Sequence, residues 1–189
     1  MEMKVLLVVA LEQELSPSAT QLLNDNNIDI VYSGVGKVNA ALSTYTAIKW
    51  YNPDIIFNYG TAGAVGNTTG LVEVTELCQR DMLPGDLGPR GITPFAKSTE
   101  LFLTNQRDGL RCGTGDSFVS SKDDWLDEQV DVVDMEAWAI ARAASIHGVP
   151  WRSYKYISDN TNDDSAKAWL DSVAKGSEEF TALLLDFVN

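Results

Sequence analysis

The chain has 189 residues, 44% apolar and 22% charged, the composition of an ordinary soluble globular protein with material for one sizeable core. Its formal net charge of −13 makes nucleic acid and anionic membrane surfaces poor partners and suits a small neutral or cationic ligand. Two cysteines, Cys78 and Cys112, and one histidine, His147, cannot build a metal site of standard spacing, so neither a metal nor a cofactor is expected. Glu12 and Glu14 follow the N-terminal apolar run at once, which argues against a signal peptide. No apolar stretch reaches the roughly 18 residues of a membrane span, and the sparse cysteines fit the cytosol.

Val5–Val9 is wholly aliphatic and reads as a buried strand. Residues 12–23 are helical in part despite Pro17, and 28–33 form a second strand. A helix over 38–50 carries Ala40, Ala41, Tyr45 and Ile48 on its apolar face, and Asn52-Pro53 introduces a third strand at 54–59. This β-α-β-α-β order implies parallel strands with helices on the faces of a sheet. Residues 71–77 alternate as a strand. Pro84, Gly85, Gly88, Pro89, Gly91 and Pro94 then make 81–94 a long loop, of the kind that serves as a lid. A strand at 130–133, a helix at 135–146 ended by Gly148 and Pro150, a strand at 151–157 and an amphipathic helix at 166–188 complete the chain. There is no repeat, low-complexity tract or linker, so residues 1–189 are expected to form a single domain.

Three glycine-rich turns follow apolar runs. Ser33-Gly-Val-Gly-Lys-Val-Asn-Ala-Ala41 permits close backbone approach to a ligand, but it is neither a dinucleotide fingerprint nor a Walker A loop. Asn58-Tyr-Gly-Thr-Ala-Gly-Ala64 leaves room at a strand end, where the Thr61 hydroxyl could hold a water or a sugar oxygen. Cys112-Gly-Thr-Gly-Asp-Ser-Phe-Val119 adds Phe118, an aromatic able to stack on a base. Each is equally readable as a tight connection packed for its own sake.

Three carboxylates stand at or near strand ends. Glu14 follows the first strand, Glu136 opens a helix in Val132-Val-Asp-Met-Glu136-Ala-Trp, and Asp159 closes Tyr154-Lys-Tyr-Ile-Ser-Asp159. In an open α/β sheet such ends converge on one crevice. Cleavage of an N-glycosidic bond passes through an oxocarbenium-like ribosyl cation. It needs one carboxyl group for the leaving base and one to activate water, and a third can hold the ribose hydroxyls. Taken singly, each acid is as readily a helix N-terminal residue that complements the dipole. A Ser-His-Asp triad would require His147, whose setting in Ile146-His-Gly-Val-Pro is that of a helix end.

The motifs occur in an order that resembles the nucleoside phosphorylase/nucleosidase superfamily, and within it the 5′-methylthioadenosine/S-adenosylhomocysteine nucleosidases. The matching stretches are Ala10-Leu-Glu-Gln-Glu-Leu15, the Ser33 and Asn58 turns, Gly113-Thr-Gly-Asp-Ser-Phe118, Val133-Asp-Met-Glu-Ala137 and Ile157-Ser-Asp159. The resemblance implies a three-layer α/β/α sandwich with a mixed, largely parallel central sheet, and a homodimer. It implies that Glu14 activates water and that Asp159, supported by Ser158, faces the purine. Met135 and Glu136 would line the ribose, with Glu136 on its hydroxyls, and Thr61, Ala62 and Gly63 would border the ribosyl site. Phe118 would stack on the base, while the Val119 backbone meets the purine edge. Two departures stand out: Lys155 replaces an arginine frequent in the family, and the stretch between Val65 and Cys112 is shorter than usual.

The resemblance thus points to hydrolysis of a purine nucleoside, with release of adenine from methylthioadenosine, S-adenosylhomocysteine or a related adenosine derivative. Two alternatives stand beside it. A phosphorylase on the same fold would need to bind phosphate, which a carboxylate at Glu14 would repel. A non-catalytic nucleoside-binding protein would have no use for a water-activating base. Arg80 and Arg90 are the groups most able to favour a 5′ phosphate, against Asp81 and Asp86.

Overall fold

The computed structural model describes residues 3–160 and 176–188, with residues 158–160 described through their backbone. β1 (Val5–Val9), α1 (Pro17–Asp25), β2 (Asp29–Tyr32), α2 (Lys37–Tyr51) and β3 (Ile55–Ala64) follow in the expected order. β4 (Gly70–Gln79), β5 (Leu103–Thr104), β6 (Leu110–Thr114), α3 (Asp124–Gln129), β7 (Val132–Asp134), α4 (Ala137–Ile146), β8 (Trp151–Asn160) and α5 (Ser177–Val188) complete it. The earlier part of the expected helix over 166–188 lies outside the described residues.

Local chemistry accounts for the boundaries. Pro17 begins α1 rather than breaking it. It stands at the first turn, where its missing N–H costs nothing, and the Ser16 hydroxyl accepts the Ala19 amide. Asn52 ends α2 in the left-handed conformation, just before Pro53. The Asp123 side chain caps α3 by accepting the amides of Trp125 and Leu126.

β1 is buried on both faces, which explains its unbroken aliphatic run. Leu6 and Val8 join a core with Ala40 and Ile48 of α2 and Ile140 and Ala144 of α4. Val5, Leu7 and Val9 face the other way, into a core with Leu23 of α1 and Phe180 and Leu184 of α5. Helices therefore cover this strand from both sides.

Among the described residues the sheet has eight strands and is mixed. β1 pairs in parallel with β2 and β3, β3 with β8, and β6 with β4 and β7. β4 runs antiparallel to β5 and β8, and β7 antiparallel to the end of β3. The open sheet expected from the sequence pattern is therefore only half right. β3, β8, β4, β6 and β7 close a ring of pairings, and β1 and β2 extend from it as an open wing. The hinge is β3. Its first half pairs with β1, and its last two residues turn to β7 on the same edge, while β8 follows its other edge throughout. The small residues Gly60, Ala62, Gly63 and Ala64 allow that bend. The missed elements are short: β6 holds Arg111, Gly113 and Thr114 among its five residues, and α3 has six. Neither length lets a periodicity emerge.

Candidate active site

The segment after β1 and the end of β7 meet the middle of β3 and β8, and there Glu14, Asp134, Glu136 and Lys155 come together. Glu14 closes a single 3₁₀ turn after β1 and is only 4% exposed. Its Oε1 accepts the Thr61 amide at 2.9 Å and the Thr61 hydroxyl at 3.0 Å, and its Oε2 accepts the Leu11 amide at 3.1 Å. Thr61 therefore spends its hydroxyl on the carboxylate. Gly60 makes this approach feasible, because a Cβ there would lie 3.1 Å from Glu14 Oε1 and 3.5 Å from Lys155 Nζ.

Asp134 ends β7 and is buried. One of its oxygens accepts the Thr114 hydroxyl at 2.6 Å and the Cys112 thiol at 3.4 Å. The other accepts the amides of Glu136 at 3.2 Å and Ala137 at 2.7 Å, the first donors of α4. That same oxygen lies 2.9 Å from Lys155 Nζ, and both side chains are almost fully buried (0% and 1% exposed). Burial alone would raise the Asp134 carboxyl, but Lys155 and Thr114 hold it below its usual range. Burial alone would lower the Lys155 ammonium, but Asp134 and Glu136 hold it above its usual range.

Glu136 stands just before α4 and is 8% exposed. Its Oε1 accepts the Gly36 amide at 2.8 Å across 100 residues of sequence. Burial and the charge of Asp134 push its carboxyl up to about 7, against the pull of Lys155 and the Gly36 N–H. Met135, between the two acids in sequence, is half-buried.

The glycine-rich turns are tied to one another. The Lys37 ammonium pairs with Asp81, Asp116 accepts the Lys37 amide at 2.7 Å, and Asp81 accepts the Asp116 amide at 2.9 Å. Arg80, itself buried, reaches under the third turn and donates to the carbonyls of Gly115 and Ser117. Any Cβ at Gly115 would stand 2.8 Å from its guanidinium carbon. Phe118, just beyond this clamp, is 60% exposed, whereas Val119 packs on a small core of Cys78, Leu126, Val130 and Val133. Arg90 pairs with Asp123 at 2.7 Å and lies over the Trp125 ring. Both arginines weighed as phosphate ligands thus have partners within the chain.

Asp159 stands opposite Gly63 in the β3–β8 pairing, where the register slips by one residue and Ser158 is the extra one. The bulge brings the Asp159 backbone level with Gly63 and beside the Thr61–Ala62 segment. The side chains of Ser158 and Asp159 lie outside the described residues. His147 caps the C-terminus of α4 and packs on the Tyr45 ring at 4.9 Å, as its sequence setting suggests. Among the described residues no helix is long and apolar enough to cross a membrane.

Asp134 and Lys155 were not singled out from the sequence as members of one site, although a signal existed. A lysine inside an apolar strand run, as in Trp151-Arg-Ser-Tyr-Lys-Tyr-Ile, must find a counter-charge if the strand is buried.

This closed ring of strands and cluster of acids belong to a known class. The family model for the phosphorylase superfamily matches residues 16–99 and 109–189, and the chain belongs to that family. It is 30% identical to a 5′-methylthioadenosine/S-adenosylhomocysteine nucleosidase of Staphylococcus epidermidis, over 87% of this chain and 83% of that protein. It is similar in fold to the futalosine hydrolase of Helicobacter pylori (TM-score 0.86, 21% identity, 98% of this chain and 97% of the other). An H. pylori MTAN mutant solved with 5′-methylthioadenosine in its active site has a TM-score of 0.84 at 21% identity, covering 100% of this chain and 99% of the other.

Proposed function

We propose that this chain hydrolyses the N-glycosidic bond of a purine nucleoside and releases adenine from methylthioadenosine, S-adenosylhomocysteine or a related adenosine derivative. The observation that carries the reading is the buried Glu14 carboxylate, held by three donors in the cluster with Glu136 and Lys155. The names of the relatives support it. In this reading Glu14 takes a proton from the attacking water, and Asp159, backed by Ser158, serves the departing base. Glu136 accepts the ribose hydroxyls beside Met135, and Thr61, Ala62 and Gly63 form the floor under the sugar. Phe118 stacks on the purine, and the Val119 backbone meets its edge. No metal or cofactor takes part.

A carboxylate at the water position disfavours phosphate as nucleophile. The internal pairing of Arg80 and Arg90 removes two of the cations that a 5′ phosphate would seek, so an uncharged 5′ group is preferred. We read residues 1–189 as a single domain with the layers of an α/β/α sandwich, since α2 with α4 and α1 with α5 cover opposite faces of β1. We also read the protein as a cytosolic homodimer. Exposed Val38, Leu42 and Tyr45 on α2, with Leu83, Leu87 and Phe95 in the loop, form the apolar surface for it, and Phe95 would reach toward the neighbouring pocket.

The test is a panel of methylthioadenosine, S-adenosylhomocysteine, adenosine, inosine and AMP, with released base quantified by chromatography. Adenine release without phosphate is expected, fastest from an uncharged 5′ substrate. A requirement for phosphate would make the protein a phosphorylase, and tight binding without release would make it a binding protein. Faster cleavage of AMP than of methylthioadenosine would reverse the 5′ assignment. Asp159→Asn should lower turnover by roughly two orders of magnitude or more.

A further inference from the structure

The carboxylates of Glu14, Asp134 and Glu136 and the ammonium of Lys155 gather between the end of β7 and the middle of β3 and β8. We propose that Asp134 and Lys155 are the positioning pair of this site. Asp134 fixes the backbone of Glu136, and Lys155 supplies the positive charge that lets Glu136 meet the sugar as a carboxylate.

The geometry carries this role. The Asp134 oxygen that accepts the Glu136 and Ala137 amides is the one facing Lys155 Nζ, so the ion pair and the start of α4 share a single atom. Lys155 Nζ and Glu14 Oε1 crowd the same open side of Gly60, where a Cβ would lie 3.5 Å from the one and 3.1 Å from the other. A buried ammonium pairing with one carboxylate can cost as much in desolvation as it returns. Its position among three acids gives it a second use.

The groups acting on Glu136 come from every neighbouring element. Asp134 of β7 and Glu14 after β1 oppose its ionisation, while Lys155 of β8 and the Gly36 amide before α2 favour it. Arg80 after β4 acts on Asp134, and the Cys112 thiol of β6 bonds it. With all three acids ionised, removing Lys155 makes the cluster more negative by one charge, and removing the Asp134 charge makes it less negative by one.

This role deepens the hydrolase reading and rests on it. Its test therefore has a readout independent of turnover: carbon NMR titration of the Glu136 carboxyl, assigned by its loss in Glu136→Gln. Lys155→Met should raise the Glu136 midpoint by about one unit or more, and Asp134→Asn should lower it by a similar amount. The double variant should return it toward the starting value, and Lys155→Arg should leave it nearly unmoved. The acid limb of kcat/KM for methylthioadenosine should move in the same directions. If Lys155→Met does not fold, Asp134→Asn and the double variant still decide the matter by sign.

Midpoints that stay put, or that move the same way in Asp134→Asn and Lys155→Met, would reduce the pair to a structural ion pair. Loss of activity at every pH without a moved profile would do the same. If the wild-type protein released no base from any nucleoside, the hydrolase reading would fail. The titration would still report whether the pair sets the charge of Glu136.

Discussion

Glu14 has two tasks that its buried setting joins. It would activate water, and it also closes its own turn by accepting Leu11 and anchors β3 by accepting Thr61. An amide in its place turns one acceptor into a donor, against a backbone or hydroxyl donor. Glu14→Gln should therefore lower turnover by roughly two orders of magnitude or more. It should also destabilise the fold by about 1–3 kcal/mol. Base release and urea unfolding measure the two effects, and intact stability would mean that the three donors find water instead. Glu136 makes a prediction of opposite kind. Its folded carboxyl titrates near 7, above the usual glutamate value of 4.5, so the folded state binds its proton more tightly than the unfolded chain does. Its contribution to stability is fully present below the unfolded value and is lost as pH rises through the folded one. Glu136→Gln mimics the protonated form. The melting temperature of this variant should match that of the wild type at about pH 4 and below, and exceed it near about pH 8. A constant difference across that window would mean that Glu136 is ionised throughout.

The elements act on the site through a few long-range ties. Arg80, at the end of β4, holds the turn after β6 by its Gly115 and Ser117 carbonyls, and Phe118 follows that turn directly. Lys37 at the start of α2 joins the same turn to Asp81. These ties fix where Phe118 stands, the residue proposed to stack on the base, and they touch no reacting atom in the proposed mechanism. Arg80→Ala should raise KM for methylthioadenosine by about tenfold or more with a smaller change in kcat, the pattern of lost ground-state binding. A fall in kcat at constant KM would instead put Arg80 in the chemistry. The Ser158 bulge is a second such device, because without the one-residue slip Ser158 rather than Asp159 would stand opposite Gly63.

For the molecule as a whole, the exposed apolar residues are the open account. Val38 and Leu42 of α2 are 68% and 63% exposed, and Phe95 is 94% exposed with φ of 59°. A contiguous apolar surface is expensive to leave in water, and a second copy is the partner proposed above for these side chains. Light scattering should give twice the 20.7 kDa chain mass. Leu42→Asp should yield a monomer with reduced activity if Phe95 completes a neighbouring pocket. A fully active monomer would remove the shared pocket and leave the chemistry of the acids untouched.

Much of this protein is legible along the chain, because local forces act between near neighbours. The aliphatic run of β1, the proline and asparagine punctuation of α1 and α2, and the order of the motifs suffice for the α/β class and the family. The three acids also stand out, since Glu14 follows β1, Glu136 opens α4 and Asp159 lies near the end of β8. What the sequence alone does not reach is what depends on distant pairing. The closure of β3, β8, β4, β6 and β7 into a ring is one case, because short strands such as β6 carry too few residues to show their period. The Asp134–Lys155 pair is another. Those residues are 21 positions apart in the chain, and only the meeting of β7 and β8 around β3 sets their side chains 2.9 Å apart. Burial then gives that short distance its effect, because a charge removed from water is answered by the charges beside it.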